Sequence, residues 1–277
     1  MDAAQCAMSQ RLLFEHHGAA FEPTRVIAFT AYESCWVEKL VASLPPAPSI
    51  RSFNDFQRTL RALIEYDAAR PSPSERFLEQ EASREQFKMI VDQFAVDGLT
   101  EAQAFLAILP RLPLRAQAAV QRILIDEFGC GNVDMMHTQL YCNLLQELGS
   151  PIDLDAFVAS ALDPVFEFVN IFHWMTKRAA QVDYFLGALA WFEGVVPSLF
   201  GPYLAACKRL GIRAHQYYSE HVHIDVFHAR SALLAMTETA RAMPFDYQQA
   251  WTGVRLAHAT AGRAFEAAVS LARDHAA

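Results

Sequence analysis

Apolar residues recur at intervals of three and four along most of the chain, which is the spacing of one face of an α-helix. Prolines, glycines and capping residues divide this pattern into segments. The predicted helices are Met8–His16, Tyr32–Ser43, Phe53–Ala69, a long helix from Ser74 toward Leu109, Leu114–Phe128, Val133–Leu148, Asp153–Leu162, Pro164–Lys177, Val182–Phe200, Pro202–Leu210, His215–Ala242 and Tyr247–His275. No segment alternates with the period of a β-strand. The pattern predicts an all-α protein, one bundle of seven or more helices.

Proline-containing stretches suggest how the chain is divided. The stretch 44–48, Leu-Pro-Pro-Ala-Pro, stops any helix that precedes it. We therefore expect residues 1–70 to form an N-terminal helical extension packed on the core, and residues 71–277 to form one helical domain. Within that domain, Gly201-Pro202 predicts a kink or a turn between two helices.

The helix predicted at His215–Ala242 carries ionisable residues on an otherwise apolar face. His221, Asp225 and His228 follow one another at i, i+4 and i+7, so they share a face that continues through Ala232. An imidazole or carboxylate in a core is normally paired or bound to a metal, because burying an unpaired charge is costly. Residues elsewhere in the chain must therefore complete this group.

Four further ionisable residues fall on predicted inward faces of other helices. They are Glu101, Glu127, His137 and Glu193. Glu101 belongs to this set if the long helix continues through Gly98; a break there, with a capping box at Thr100 and Gln103, would change its register. Taken alone, each of the four has an ordinary explanation as a hydrogen-bonded core residue or one half of a buried ion pair.

Together the seven residues make four carboxylates and three imidazoles, with almost no inward Lys or Arg to neutralise the acids. Such a cluster repels itself unless most carboxyls are protonated or cations supply the missing charge, and two divalent metal ions would do so. Oxygen and imidazole ligands suit iron or manganese, and helical bundles hold carboxylate-bridged dimetal sites. Glu220 and His223 form a Glu-x-x-His pair, but both lie off the His221 face and are expected at the surface or in supporting hydrogen bonds.

Composition excludes several other classes of protein. The formal charge of −8 argues against a nucleic-acid surface, which needs clustered Lys and Arg. No apolar stretch of the length of a membrane span and no secretory leader is evident, so we expect no membrane association. The five cysteines are odd in number and widely spaced, which indicates a reducing, cytoplasmic compartment.

The order of these residues resembles the haem-oxygenase-like dimetal oxidases and oxygenases, also described as iron-containing redox enzymes. The match consists of a Glu, a Glu-x9-His, a distant Glu and a His-x3-Asp-x2-His, which here are Glu101, Glu127 to His137, Glu193, and His221 to Asp225 to His228. The surroundings 126–132 (DEFGCGN) and 191–194 (WFEG) are also similar to that family. The resemblance covers roughly Phe87 to Ala240 and leaves the first seventy residues outside it.

The resemblance implies a haem-oxygenase-like bundle of about seven core helices that binds no haem. It implies a site for two iron ions, or for manganese with iron, with O₂ as co-substrate and an external electron donor. All seven residues would be metal ligands, with Glu193 bridging or chelating and with Glu101 and Glu127 on one side. Glu127 is like the additional carboxylate of family members that oxygenate amine nitrogen. The helix that carries Asp225 is expected to become ordered when metal binds.

The leading hypothesis is a non-haem diiron oxygenase that acts on a small amine or amino acid, with N-oxygenation favoured, in specialised (natural-product) biosynthesis. One alternative is C–H activation of an aliphatic amino acid or fatty acid, which gives desaturation, cyclisation or C–C cleavage. A second is a non-catalytic iron or O₂ sensor. A third keeps the fold without metal and uses Cys130 or Cys142 as a nucleophile. A homodimer is expected, because such bundles usually pair and the terminal helix is rich in alanine.

Residues that contact the substrate are less clearly marked. Several aromatic residues near inward positions could form the wall of a pocket, although aromatic residues at helical spacing are more often core. They are Phe94, Tyr141, Phe185, Trp191 and Phe192. Four basic residues could meet a substrate carboxylate, although solvated surface is their ordinary role. They are Arg122, Lys177, Lys208 and Arg213.

Overall fold

The computed structural model describes residues 8–20 and 22–275, and within these ranges the chain forms helices and turns without any β-strand. The prediction of an all-α protein is therefore confirmed. The α-helices are α1 (Gln10–Gly18), α2 (Pro23–Ser43), α3 (Phe53–Ala68), α4 (Pro73–Arg76), α5 (Arg84–Gln93), α6 (Ala95–Gly98), α7 (Leu114–Glu127), α8 (His137–Glu147), α9 (Leu154–Ser160), α10 (Asp163–Lys177), α11 (Asp183–Arg209), α12 (Gln216–Ala242) and α13 (Tyr247–Asp274). After position 70, seven described α-helices have ten or more residues, as expected.

Helix α11 lies at the centre of the bundle. It packs along both α12 and α13, while α7 packs against α12 and α10 packs against α13. The crossing of α11 and α13 is close enough to require two glycines. A Cβ atom on Gly187 would lie 1.9 Å from the carbonyl oxygen of Ala250, and one on Gly253 would lie 1.9 Å from that of Tyr184. Any side chain at either position would push the two helices apart.

The long helix predicted from Ser74 toward Leu109 is wrong. The chain there forms α4, a π-helical turn at Phe77–Glu81, α5, α6 and a 3₁₀ segment at Gln103–Arg111. Ser83 starts α5 with a capping box of its own. Ala102 has a φ of 60°, a left-handed conformation that no helix continues. The predicted capping box at Thr100 is absent, because the Thr100 hydroxyl donates to the carbonyl oxygen of Val96 instead.

Two other boundaries also differ from the prediction. Helix α11 runs without interruption through Pro197 and Pro202, so the turn predicted at Gly201-Pro202 is wrong, while the alternative of a kink there stays a prediction. Packing in the bundle overrides the local preference of proline. Helix α8 begins at His137 rather than at Val133, because Met136 is extended and Val133 belongs to a short 3₁₀ turn.

The N-terminal segment packs on the later helices through specific contacts. The Asn170 side-chain amide on α10 donates to the backbone oxygen of Gln10, at 2.8 Å. Helix α3 lies against α11, where a Cβ atom on Gly194 would be 2.9 Å from Cδ1 of Ile64. The division of the chain at residue 70 stays a prediction.

Helix α11 is long and apolar enough, by length and composition alone, to cross a membrane, which the sequence analysis did not expect. More than half of its most apolar window is buried against other helices, as in the core helix of a globular bundle. This one described helix is weak evidence for a membrane span.

Candidate metal centre

The structure brings the seven predicted site residues together in the middle of the bundle. Glu101 lies in the turn before the 3₁₀ segment, Glu127 ends α7, His137 begins α8, Glu193 lies within α11, and His221, Asp225 and His228 lie on α12. Six of them are at most 8% exposed, and the Glu101 side chain is 13% exposed. The i, i+4, i+7 spacing on α12 does place its three residues on the buried face.

The first half of the group consists of Glu101, Glu127, His137 and His221, whose ligand-type atoms all lie within 4.8 Å of one another. Nε2 of His221 is 3.0 Å from Oε1 of Glu101 and 4.0 Å from Oε2 of Glu127. Nδ1 of His137 is 2.8 Å from that same Glu127 oxygen. Two carboxylates and two imidazoles therefore converge on one point.

The second half consists of Glu127, Asp225 and His228, which satisfy the same distance criterion, with Glu193 beside them. Nδ1 of His228 is 3.5 Å from Oε1 of Glu127, 3.2 Å from Oδ1 of Asp225 and 3.3 Å from Oε2 of Glu193. Glu127 thus directs one carboxylate oxygen toward each half. Glu193 was expected to bridge or to chelate, and the geometry makes Glu127 the residue that faces both halves.

A tight turn after α7 brings Glu127 and His137 side by side. Gly129, Cys130 and Gly131 all have positive φ, of 61°, 51° and 82°. A Cβ atom on Gly129 would lie 2.5 Å from the backbone nitrogen of Met136, so only glycine fits where the chain doubles back. The strained conformation of Cys130 is local to this turn, which positions a carboxylate and an imidazole ten residues apart.

Charge within the group is not balanced by any basic residue. The buried polar residues in the described part of the chain include no Lys and no Arg. Burial opposes protonation of the two histidines, yet Glu101 raises the pKa of His221 to about 10, and the nearby carboxylates of Asp225 and Glu193 raise the pKa of His228 to about 11. Burial also raises the pKa of Glu193 to about 7. Without metal, His221 and His228 are therefore protonated near neutral pH, and the Glu193 carboxyl is protonated in part of the molecules.

Several atoms of the group face one another without forming hydrogen bonds. Nδ1 of His137, Nδ1 of His228, Oδ1 of Asp225 and Oε2 of Glu101 are buried and have no hydrogen-bond partner among the described residues. Buried polar atoms are normally satisfied, so unpaired nitrogen and oxygen atoms only 2.8 to 3.5 Å from other ligand atoms need an explanation. Atoms that point at a common centre fit a bound cation better than they fit one another.

Neighbouring groups fix the orientation of two histidines. Nδ1 of His221 donates to the backbone oxygen of Tyr217 at 2.7 Å, which leaves Nε2 facing the centre. Nε2 of His228 lies 3.2 Å from Oδ2 of Asp126, which leaves Nδ1 facing the centre. The Tyr217 hydroxyl also donates to Glu101 at 3.0 Å. Partners of this kind set the tautomer of metal-binding histidines.

Two acidic residues near the centre were missed as functional residues from the sequence. Asp126 lies in the last turn of α7, on a face that periodicity marks as outward, and only the packing of α7 on α12 brings it to His228. Asp97 lies at the end of α6 and lines the small cavity beside the centre. Burial, together with repulsion from Glu101, raises the pKa of Asp97 to about 8. Its position one turn before Glu101 was the available signal.

The remaining predicted residues lie outside the centre. His223 is exposed and Glu220 is half-buried, in agreement with their predicted exclusion. Cys130 is exposed, with its thiol 3.7 Å from Oδ1 of Asp126, and Cys142 is half-buried. Neither lines the cavity beside the centre, and their role as a nucleophile in the metal-free alternative stays a prediction. Cys6 lies outside the described residues.

A cavity of about 40 Å³ adjoins the two halves of the centre. Its walls include Asp97, Thr100, Phe168, Phe172, His173 and Phe192, and all the predicted ligands except His137 and His228. Two larger cavities touch it. One is aromatic, measures about 350 Å³ and shares Asp97, Phe168 and Phe192 with it. The other is polar, measures about 610 Å³ and shares Thr100 and His173.

Comparison with known proteins gives two specific similarities. Nitrosourea synthase from Streptomyces achromogenes subsp. streptozoticus is 28% identical over 174 residues, which cover 59% of this chain and 36% of that protein. The chain thus spans just over a third of that relative's length. A domain of unknown function with a heme oxygenase-like fold from Shewanella denitrificans OS217 superposes with a TM-score of 0.59 at 13% identity, over 79% of this chain and 93% of that one. The expected haem-oxygenase-like fold is therefore confirmed.

The family model described as iron-containing redox enzyme matches residues 88–262, which is more than half of the chain. All seven residues of the candidate centre lie within that range, as do Asp97 and Asp126. Residues 1–87, which include α1 to α3, precede it. The chain therefore belongs to the family of iron-containing redox enzymes.

Proposed function

We propose that this oxidoreductase is a non-haem diiron oxygenase that transfers oxygen from O₂ to the nitrogen of a small amine or amino acid. The observation that carries the proposal is the pair of ligand groups that share Glu127. Glu101, His137 and His221 would hold one iron ion, Glu193, Asp225 and His228 would hold the other, and Glu127 would contact both. Seven oxygen and nitrogen donors without a thiolate suit iron or manganese.

The unpaired buried atoms of the centre support a fit to two divalent ions, which would supply the positive charge that the surrounding residues lack. When bound, a pair of iron ions supplies the electrons that reduce O₂. The protein's own contribution is to orient the ligands. Asp126 and the backbone oxygen of Tyr217 hold His228 and His221 in the tautomers that direct a nitrogen at the centre.

The choice of nitrogen as the oxygenated atom rests on the similarity to nitrosourea synthase, whose name describes a product with oxygen on nitrogen. Because the chain spans only 36% of that protein, the reaction is a proposal for this chain. We further propose that the enzyme serves natural-product biosynthesis in the cytoplasm, takes electrons from an external donor and forms a homodimer. The described cysteines are all unpaired, which fits a reducing compartment.

The test is turnover of iron-loaded protein with a panel of small amines and amino acids, O₂ and a chemical reductant. We expect a product that has gained oxygen on nitrogen, with ¹⁸O incorporated from labelled O₂. Loss of two hydrogens or of a carbon fragment would instead identify C–H activation. No O₂ consumption with any substrate would overturn the enzyme proposal and support a sensor.

Matched variants make this test specific to the centre. Asp225→Ala removes a ligand from the buried face of α12 and should abolish product formation. His223→Ala changes an exposed residue on the same helix, two positions away, and should leave turnover unchanged. Equal loss in both variants would show that α12 as a whole, rather than the ligand, is what turnover requires.

A further inference from the structure

The aromatic cavity beside the candidate metal centre is large enough for a small organic molecule and is lined largely by aromatic side chains. It measures about 350 Å³, and its lining residues come from α3, α4, α6, α8, α10, α11, α12 and α13 and from the segments next to them. Its walls include Tyr141, Trp191, Phe192, Phe200, Tyr203 and Tyr217. Tyr141, Trp191 and Phe192 are among the aromatic residues that the sequence marked as possible pocket walls. Ring faces carry negative electrostatic potential and attract cations.

The inner end of this cavity meets the metal centre. Asp97, Phe168 and Phe192 line both the aromatic cavity and the small cavity of the centre. Tyr217 lines the aromatic cavity and donates its hydroxyl hydrogen to Glu101 at 3.0 Å. A molecule that fills the aromatic cavity therefore presents one end to Asp97 and, beyond it, to the proposed ligands.

Charges along the cavity favour a cation. Asp97 lies at the inner end, and the outer lining contains three further carboxylates, Asp67, Glu75 and Glu266, against Arg70 and His258. Nε2 of His258 lies 3.0 Å from Oδ2 of Asp67. The Arg70 guanidinium is occupied over the ring of Tyr66, 3.9 Å from its centroid. No hydrogen bond or ion pair among the described residues engages the Asp97 carboxyl, and no lysine lines the cavity. Burial and the carboxylate of Glu101 hold the pKa of the Asp97 carboxyl at about 8 in the free protein, and a cation bound beside it would favour its charged form.

We propose that the aromatic cavity is the substrate site of the oxygenase and that it binds the substrate as an organic ammonium ion, with Asp97 at the charged end. This inference rests on the proposed function and adds where the amine binds and in which charge state. Carboxylates at the outer end attract the cation, ring faces accompany it inward, and Asp97 holds it next to the metal centre.

The outer end of the site comes from the part of the chain that precedes the family match. Asp67 and Arg70 lie at the end of α3, and Glu75 lies in α4, all before residue 88. Helix α3 is held in place where Ile64 packs at Gly194, the residue after the ligand Glu193. The N-terminal extension therefore contributes to substrate selection in this chain, while the family region contributes the metal ligands.

The experiment measures binding, without turnover, of two probes with equal numbers of heavy atoms. Iron(II)-loaded protein is titrated anaerobically with 2-phenylethylammonium and with neutral 2-phenylethanol, by calorimetry and by Trp fluorescence. We expect the cation to bind about tenfold more tightly than the alcohol, because it gains cation–π and carboxylate contacts. Equal affinities, or tighter binding of the alcohol, would overturn the proposal.

Variants assign the preference to this cavity. Asp97→Asn should reduce the affinity for the cation about tenfold and leave the affinity for the alcohol unchanged. Asp92→Asn, which changes a carboxylate that pairs with Lys88 outside the cavity, is the matched control and should change neither. Asp67→Asn at the outer end should weaken binding of the cation about threefold and leave binding of the alcohol unchanged. This second variant keeps the test valid if Asp97→Asn loses iron.

The two proposals fail in distinguishable ways. If binding selects the cation and depends on Asp97 or Asp67, but no amine is oxidised, the proposed substrate site is supported and the proposed reaction is contradicted. If amines are oxidised, but neither substitution affects the reaction and the two probes bind equally, the proposed reaction is supported and the proposed site is contradicted.

Discussion

Two buried clusters in this protein use the same residue types and reach opposite electrostatic states. One is the candidate metal centre. The other, the N-terminal ion cluster, consists of His17 on α1, Glu33 on α2, and His173 and Arg178 at the end of α10. Glu33 is 1% exposed and accepts two hydrogen bonds from the Arg178 guanidinium. The rings of His17 and His173 stack with centroids 4.1 Å apart, and Nε2 of His17 is 4.0 Å from Glu33.

Histidines respond in opposite directions in the two clusters. Burial is the main reason why the pKa of His17 lies far below its ordinary value, and the neighbouring His173 and Arg178 lower it further. Burial, Lys177 and Arg178 likewise lower the pKa of His173 to about 3. In the metal centre, where no Arg is present, carboxylates raise the pKa of His221 to about 10. In the N-terminal ion cluster, the buried carboxylate is already paired with an arginine. In the candidate metal centre, the buried carboxylates have only histidines beside them, so the group still lacks positive charge. This difference distinguishes a candidate metal site from a structural cluster.

The largest expected difference between the clusters is their response to metal. Anaerobic addition of Fe(II) should stabilise the wild-type protein against thermal unfolding, by about 4 kcal/mol at a thousandfold excess over the dissociation constant. Glu33→Gln should keep the full gain, and Asp225→Ala should lose most of it. Thermal scans of the three proteins with and without Fe(II) measure this. A gain of equal size in Asp225→Ala would mean that the metal binds elsewhere.

The next effect is the change in stability of the metal-free protein. Glu33→Gln leaves the Arg178 guanidinium without its carboxylate and should cost about 2–3 kcal/mol. Glu193→Gln removes one of four mutually repelling carboxylates, and should cost little or stabilise the fold. Urea unfolding in the presence of a chelator compares them. If Glu193→Gln cost as much as Glu33→Gln, the metal-free centre would be a balanced ion network, and the contrast between the clusters would not hold.

A smaller effect is expected in the dynamics of α12. Metal ligation by His221, Asp225 and His228 ties this helix to α7, α8 and α11, so Fe(II) should slow amide hydrogen exchange there about tenfold. Amides of α1 and α2 around Glu33 serve as the internal reference and should not change. Equal protection of α12 with and without Fe(II) would contradict the expectation that this helix becomes ordered on metal binding.

The smallest expected effect is the dependence of stability on pH in the N-terminal ion cluster. Because the pKa of His173 is lowered from 6.5 to about 3, the unfolded chain binds more protons than the folded chain between these values. Stability is therefore complete above pH 6.5 and falls as the pH decreases toward 3, by about 1 kcal/mol between pH 6.5 and 5.5. His173→Phe keeps the stacked ring and should be less sensitive over that range. Chelator-treated protein isolates this effect, and identical pH profiles for the two proteins would contradict it.

Helical periodicity was sufficient to predict that most residues of the candidate metal centre lie on buried helix faces. His221, Asp225 and His228 lie on one uninterrupted helix, so their spacing alone gave their common face. Glu193 lies on the predicted buried face of α11 in the same way, and its neighbours Leu189 and Val196 are fully buried. Local sequence is informative here because regular helices convert spacing directly into direction.

Glu101 lies in the predicted site, but an irregular turn rather than a continuous helix places it there. The helix that was expected to carry it ends at Gly98, and a left-handed Ala102 turns the chain so that Glu101 contacts His221. Irregular backbone of this kind depends on tertiary packing, which a single sequence does not reveal. The same limit explains why the contact between Asp126 and His228 was missed.

Pocket walls could be predicted only in part. Phe94, Tyr141, Trp191 and Phe192 line the aromatic cavity, whereas Phe185 is fully buried and packs against Phe105. An inward aromatic residue faces either a cavity or a neighbouring ring, and spacing does not distinguish these. Among the four basic candidates, only Lys177 lines one of the three cavities next to the centre, the polar one.

The most direct measurement of the central claim is the number of iron ions per chain after anaerobic reconstitution and removal of unbound metal. The structure predicts about two, because two ligand groups converge around the shared carboxylate of Glu127. His221→Ala and Asp225→Ala should each lose iron, while His223→Ala should retain both ions. A stably folded wild-type protein that binds no iron, or a count unaffected by His221→Ala and Asp225→Ala, would contradict the account.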